Sequence, residues 1–251
     1  MRAAILLLVC AVVAACATTS GPDKTKASEG YYNKGLSYLQ ANDLANAMAE
    51  FHRSIQTDPK NKMSYYALGL VYLRQDKPQD CEKYLKEAIS IDDQFSDAWN
   101  ALGILYSRQQ KWKDALKAFS RALENKLYAT PHTTYINIGD MYMAQHDYAK
   151  AAEAYRESKR IANVDITILR LGRALLEAGR IRDAITELQE GITIAPKNPE
   201  MHLALGQAYL KNGEKRSALA AFKTAAELAP RTDTGRAARD YIATIEKAPG
   251  R

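Results

Sequence analysis

Cysteine is scarce in this 251-residue sequence, with Cys10, Cys16 and Cys81 making up the whole complement. Too few remain for a disulfide framework once the first two are assigned to a leader, because Cys81 then has no partner. Buried apolar area must hold the fold instead. Histidine is as sparse. No two of His52, His132, His146 and His202 share a helix at i, i+4 spacing, and none stands with a cysteine or a paired carboxylate, so no metal site is expected. A nucleophile elbow and a phosphate loop are both missing, which leaves no basis for an enzyme and none for a cofactor. No apolar run reaches the ~20 residues of a spanning helix. Charge of one sign is lacking too. The net charge is +6, and basic and acidic residues interleave, unlike the basic stripe of a nucleic-acid binder.

The beginning of the chain has its own logic. Arg2 supplies a positive charge, and Ala3 to Ala15 follows without any charged residue. That is the length of a signal-peptide core and too short for a bilayer span. It closes on Val13-Ala14-Ala15-Cys16, which resembles the lipobox of bacterial lipoproteins. The resemblance implies that residues 1–15 are removed and that Cys16 carries a diacylglyceryl group. The alternative is an ordinary Ala-x-Ala cut with Cys16 a bystander. In lipoproteins an Asp after the cysteine favours the inner membrane. Ala17 stands there, which implies an outer-membrane lipoprotein facing the periplasm. Residues 16–27 are polar, with Ser20, Gly21 and Pro22, and read as a lipidated cysteine on a flexible tether.

Self-similarity dominates the rest. Gly35, Gly69, Gly103, Gly139, Gly172 and Gly206 sit inside helix-like text at spacings of 34, 34, 36, 33 and 34. Each costs ~1 kcal/mol in a helix interior relative to alanine, so a repeated packing reason is required. Other positions keep the period. Four before the glycine stand Tyr31, Tyr65, Trp99, Tyr135, Ile168 and His202, which makes His202 a stand-in for a core aromatic. Twelve after stand Ala47, Cys81, Ala115, Ala151, Ala184 and Ala218, so Cys81 reads as a small buried group. Sixteen after stand Phe51, Leu85, Phe119, Tyr155, Leu188 and Phe222.

This pattern resembles the tetratricopeptide repeat (TPR) family over nearly all of the chain after the leader. The resemblance implies an all-α superhelical solenoid. Each unit is a helix pair whose second helix meets the glycine with a small residue, and neighbouring pairs stack to share one core. The repeats fall at 28–61, 62–95, 96–129, 132–164, 165–198 and 199–232, with a capping helix and tail over 233–251. The longer spacing points to a bend or widened seam near Leu127-Tyr128-Ala129-Thr130-Pro131.

TPR arrays bind peptides along the side lined by the first helices. On the family template the lining positions are Tyr32, Leu36 and Leu39 in repeat one, and Tyr66, Leu70 and Leu73 in repeat two. These six are expected to face away from the core of their own repeat and to form an exposed apolar stripe that takes an amphipathic or apolar segment. Cover by the chain's own tether is the other reading. Repeats three to six are mixed at these positions.

Lipobox, short tether, six near-regular repeats and cap together resemble the type IV pilus pilotins, outer-membrane lipoproteins that help secretin subunits reach that membrane and close into a ring. The partner implied is a secretin subunit. The rival readings are a TPR adaptor lipoprotein of the β-barrel assembly machinery, or one that recruits peptidoglycan hydrolases.

Overall fold

The structure, a computed structural model, describes residues 22–247. Cys16, the lipobox and the rest of residues 1–21 lie outside the described residues. Among the described residues, thirteen α-helices follow one another without a strand: α1 Pro22–Gln40, α2 Leu44–Thr57, α3 Lys62–Arg74, α4 Pro78–Ile91, α5 Ser96–Arg108, α6 Trp112–Glu124, α7 Pro131–Ala144, α8 Tyr148–Ile161, α9 Asp165–Glu177, α10 Ile181–Ile194, α11 Pro199–Lys211, α12 Lys215–Leu228 and α13 Asp233–Lys247.

Local chemistry sets where helices start and stop. Side chains of Asp43, Asn61, Asp147 and Asn198 accept bonds from orphan backbone N–H groups at the starts of α2, α3, α8 and α11. Proline opens α4, α7 and α11, where no donor is needed. The turn inside every pair passes through one left-handed residue: Asn42, Asp76, Gln110, His146, Gly179 and Gly213. Each lies seven residues after its packing glycine, so His146 is a turn residue. Its Nδ1 lies 2.8 Å from the Tyr148 hydroxyl.

The glycines answer to a large neighbour, not to the small one expected. A methyl group added at Gly35, Gly103, Gly139 or Gly206 would come within 2.4–2.5 Å of a ring atom of Phe51, Phe119, Tyr155 or Phe222. At Gly69 and Gly172 the obstacle is Leu85 or Leu188, at 2.7 and 2.6 Å. The large residue stands about two turns into the second helix, and its side chain leans back over the glycine of the antiparallel partner. The alanines and Cys81 at the small position are buried beside that contact. Burying each large side chain stabilises the fold by ~1.5–3 kcal/mol.

The expected flexible tether also needs correction. Residues 22–27 are the first turns of α1, which runs 19 residues against 13–15 in the other helices. Pro22 and Asp23 suit a first turn by fixed φ and by charge. Just beyond them a buried knot pins the helix. Ser28 Oγ donates to the Ser54 carbonyl at 2.9 Å, Ser54 Oγ donates to the Ser28 carbonyl at 2.8 Å, and Asn61 Nδ2 donates to Ser28 Oγ at 2.8 Å. Three helices thus lock the start of the solenoid.

Successive pairs stack in order. Beyond sequential neighbours, first helices also meet one another (α3 with α5, α5 with α7, α9 with α11), and no two second helices do so to that extent. The array therefore curves with its first helices on the inner side. The longest link between pairs is residues 125–130, six residues against four or fewer elsewhere. It leaves Leu127 92% exposed. At the far end Tyr241 of α13 stacks on Phe222 at 4.7 Å, and Ala238, Tyr241, Ile242 and Ile245 cover the last pair.

Candidate functional site

The inner side places all six template residues on α1 and α3, but not as a bare stripe. Leu36 is 38% exposed. Tyr32, Leu39, Tyr66, Leu70 and Leu73 are half-buried. Tyr32 and Leu39 pack on the Phe51, Leu68 and Val71 cluster, with Tyr32 and Phe51 rings 5.9 Å apart. Tyr32 therefore does touch the core of its own repeat, contrary to expectation. Tyr66, Leu70 and Leu73 pack on Leu85, Leu102 and Leu105 of the next seam. The curvature explains the difference, since inner helices approach one another and cover each other's flanks. Burial pushes the Tyr66 hydroxyl up to about 12 and raises that of Tyr32 as well.

A cleft of about 440 Å³ opens at the leading edge. Thr25, Glu29, Tyr32 and Asn33 of α1 form one wall, and Asp58, Lys60, Asn61, Lys62 and Met63 form the other. Tyr32 and Met63, the latter 37% exposed, are the apolar members of a lining that is otherwise polar or charged.

The second half of the inner side is occupied by its own polar contacts. Asp140 of α7 pairs with Arg170 of α9 and accepts from the Tyr155 hydroxyl at 2.5 Å. Arg173 of α9 reaches Glu200 of α11 at 2.9 Å. Lys211 stands 3.7 Å from Glu177, and Gln207 donates to the Tyr241 hydroxyl of α13 at 3.1 Å. These rungs are exposed and contribute little stability each, but they satisfy the polar groups that a ligand would have to displace. The inner surface thus carries polar rungs from repeat four onward, with a second cleft of about 290 Å³ among Leu176, Gln207, Leu210 and Tyr241, while Leu36 and Met63 are its exposed apolar side chains in repeats one and two.

Asp97, in the first turn of α5, belongs to no motif of the sequence. It lies one turn before the lining residue Asn100 on the same helix face. Burial raises its carboxyl above the usual range, while the Tyr128 hydroxyl beside it acts in the opposite sense. The signal that could have found it is its register, six before the packing glycine, which Glu200 shares.

Two other expectations resolve simply. His202 is half-buried, not core. Its Nε2 lies 2.8 Å from the Pro196 carbonyl, six residues back, as Trp99 Nε1 donates to the Asp93 carbonyl at 2.8 Å. Cys81 is fully buried, and burial pushes its thiol up to about 12, far from a reactive thiolate. Among the described residues, no group of three or more His, Cys, Asp or Glu could hold a metal ion, and no helix is long and apolar enough to cross a membrane.

Comparison with known proteins places this geometry. Tetratricopeptide repeat models match residues 28–61, 61–127, 94–163 and 199–232, and a further TPR repeat model matches 172–213. No curated protein matches the chain. Among solved structures the chain is similar to PilW, described as a widely conserved type IV pilus biogenesis factor, at 17% identity and a TM-score of 0.73, over 83% of this chain and 96% of that one. It is similar to PilF of Pseudomonas aeruginosa at 18% identity and a TM-score of 0.73, over 87% and 99%. It also resembles YrrB, described as a TPR protein with an unusual peptide-binding site, at 15% identity and a TM-score of 0.59, over 76% and 97%. At these identities the likeness carries the fold, and with the repeat matches it establishes that the chain belongs to the tetratricopeptide repeat family.

Proposed function

We propose that this protein is an outer-membrane lipoprotein, anchored through Cys16 and facing the periplasm, that holds secretin subunits and promotes their assembly for type IV pilus biogenesis. The observation that carries the reading is the pair of exposed apolar side chains Leu36 and Met63, at the end of the solenoid nearest the proposed anchor, with the half-buried Tyr32, Tyr66, Leu70 and Leu73 on the same two helices. The likeness to PilW spans 83% of this chain and 96% of that one and supports the pilus assignment. No catalytic step is involved. An apolar segment of the partner lies along α1 and α3, and burial of its side chains supplies the affinity. A lipid anchor, at ~0.8 kcal/mol per buried CH₂, keeps the complex at the membrane. Tethered monomers then meet at a raised effective concentration, which favours ring closure.

The pinned start of α1 has a part in this. With residues 22–27 helical, the groove stands at a set distance from Pro22, ~1.5 Å of rise per residue. The test is deletion of the gene, followed by blotting for heat-stable secretin multimers and by membrane fractionation. Loss of multimers from the outer membrane, restored by the wild-type gene but not by Cys16→Ala or Leu36→Glu, is the expected result. Undiminished multimers in the deletion strain would end the proposal.

A further inference from the structure

The repeat register exposes an unfilled position in the groove. Six residues before its packing glycine, repeat six carries Glu200 and repeat three carries Asp97. One residue after the packing glycine of the preceding repeat, repeat five carries Arg173 and repeat two carries Leu70. Arg173 and Glu200 meet at 2.9 Å. Where repeat five offers Glu200 a guanidinium, repeat two offers Asp97 an isobutyl group.

Among the described residues nothing else takes the place of that cation. Among the described residues Asp97 forms no ion pair, and the polar group beside it is the neutral Tyr128 hydroxyl. Lys62, on the neighbouring α3, is turned elsewhere. It pairs with Asp92 and lies over the Phe95 ring at 5.0 Å. Asp97 is nevertheless half-buried, and Tyr66, whose ring packs edge-on against Phe95 at 5.2 Å, feels its charge. The segment that carries Tyr128 is held by hydrogen bonds. Its backbone N–H donates to the Asn125 carbonyl at 3.1 Å, and Asn125 Nδ2 donates to the Gln94 carbonyl at 3.0 Å. The Thr134 hydroxyl donates to Tyr128 Oη at 3.3 Å. A half-buried carboxylate without a cation is costly.

We infer that Asp97, half-buried and without an ion pair among the described residues, receives a lysine or arginine side chain carried by the apolar segment that occupies the groove. The inference rests on the groove reading and deepens it. The first two repeats bind the apolar residues of the segment, and repeat three sets its register and direction by one charge. Arginine fits best, because its planar fork can pair with both oxygens of the carboxylate.

A random peptide library displayed on phage stands in for the partner in the test. The full chain, Asp97→Asn and Leu36→Glu are immobilised and panned against it in parallel, with thermal melts showing that each is folded. The wild type should enrich apolar peptides that share one lysine or arginine. Asp97→Asn should enrich apolar peptides without the basic residue, and a synthetic wild-type winner should bind it roughly tenfold more weakly. Wild-type peptides lacking a common basic residue, or basic residues equally enriched by Asp97→Asn, would overturn the cation site and leave the groove standing. No enrichment by the wild type, or the same peptides from Leu36→Glu, would overturn the groove and this inference with it.

Discussion

Gly103 and Phe119 stand so close that a methyl group on the glycine would lie 2.4 Å from ring carbon Cδ1. The ring is fully buried and has nowhere to retreat. Gly103→Ala should therefore destabilise the fold by ~1–3 kcal/mol, as overpacking does, although alanine is the better helix former. Gly30, also helical, has nothing within 4 Å of the same added carbon. Gly30→Ala should instead stabilise by up to ~1 kcal/mol. Urea unfolding of the two variants checks the pair of opposite signs.

The intra-pair turns allow a second pair of opposite signs. Gln110 holds φ at 57°, in the left-handed region, while Gly179 holds 75° at the same register. A residue with a Cβ pays about 1–2 kcal/mol there. Gln110→Gly should stabilise by up to about 1 kcal/mol, and Gly179→Ala should destabilise by a similar amount despite open space around it. Thermal melts of both would show it.

Alkaline pH should weaken the fold through two groups that burial holds in their neutral forms. Folding raises the Cys81 thiol from an ordinary 9.0 to about 12 and the Tyr66 hydroxyl from 10.0 to about 12. A raised folded value means that the protonated form is favoured in the native state. The stability tied to each group is fully present below its unfolded value and is lost as pH rises toward 12. Unfolding free energies should fall between about pH 9 and about pH 12. Cys81→Ala, which places at that position the residue the other five repeats carry, should flatten the early part of the fall. An unchanged slope in that variant would assign the fall to other groups.

The repeat is legible in the sequence because packing geometry recurs. Every glycine must admit a ring or a leucine, so the same residue types return at the same spacing. Local register says which face of a helix a residue occupies, but not which neighbour covers it. That is why Tyr32 reads as free of its own core while it packs on Phe51, and why Ala115 and its equivalents read as the glycine's partner in place of Phe119 and its own. The helical start of α1 is hidden for another reason. Polar residues next to Gly21 suggest a linker, whereas the Ser28, Ser54 and Asn61 knot that pins the helix joins three separate elements. Asp97 is hidden because a single acidic residue in a first turn is ordinary. It stands out only once Arg173 is seen answering Glu200 at the same register.

Leu36 and Leu116 offer the most direct measurement. Both are 38% exposed, but Leu36 lies on the inner α1 and Leu116 on the second helix of repeat three. A photoreactive phenylalanine analogue placed at either site in cells should separate the groove from generic stickiness. Crosslinking to a secretin subunit from position 36, abolished by Leu70→Glu and absent from position 116, is the predicted result. Equal crosslinking from both positions, or from position 116 alone, would contradict a binding groove on the first two repeats.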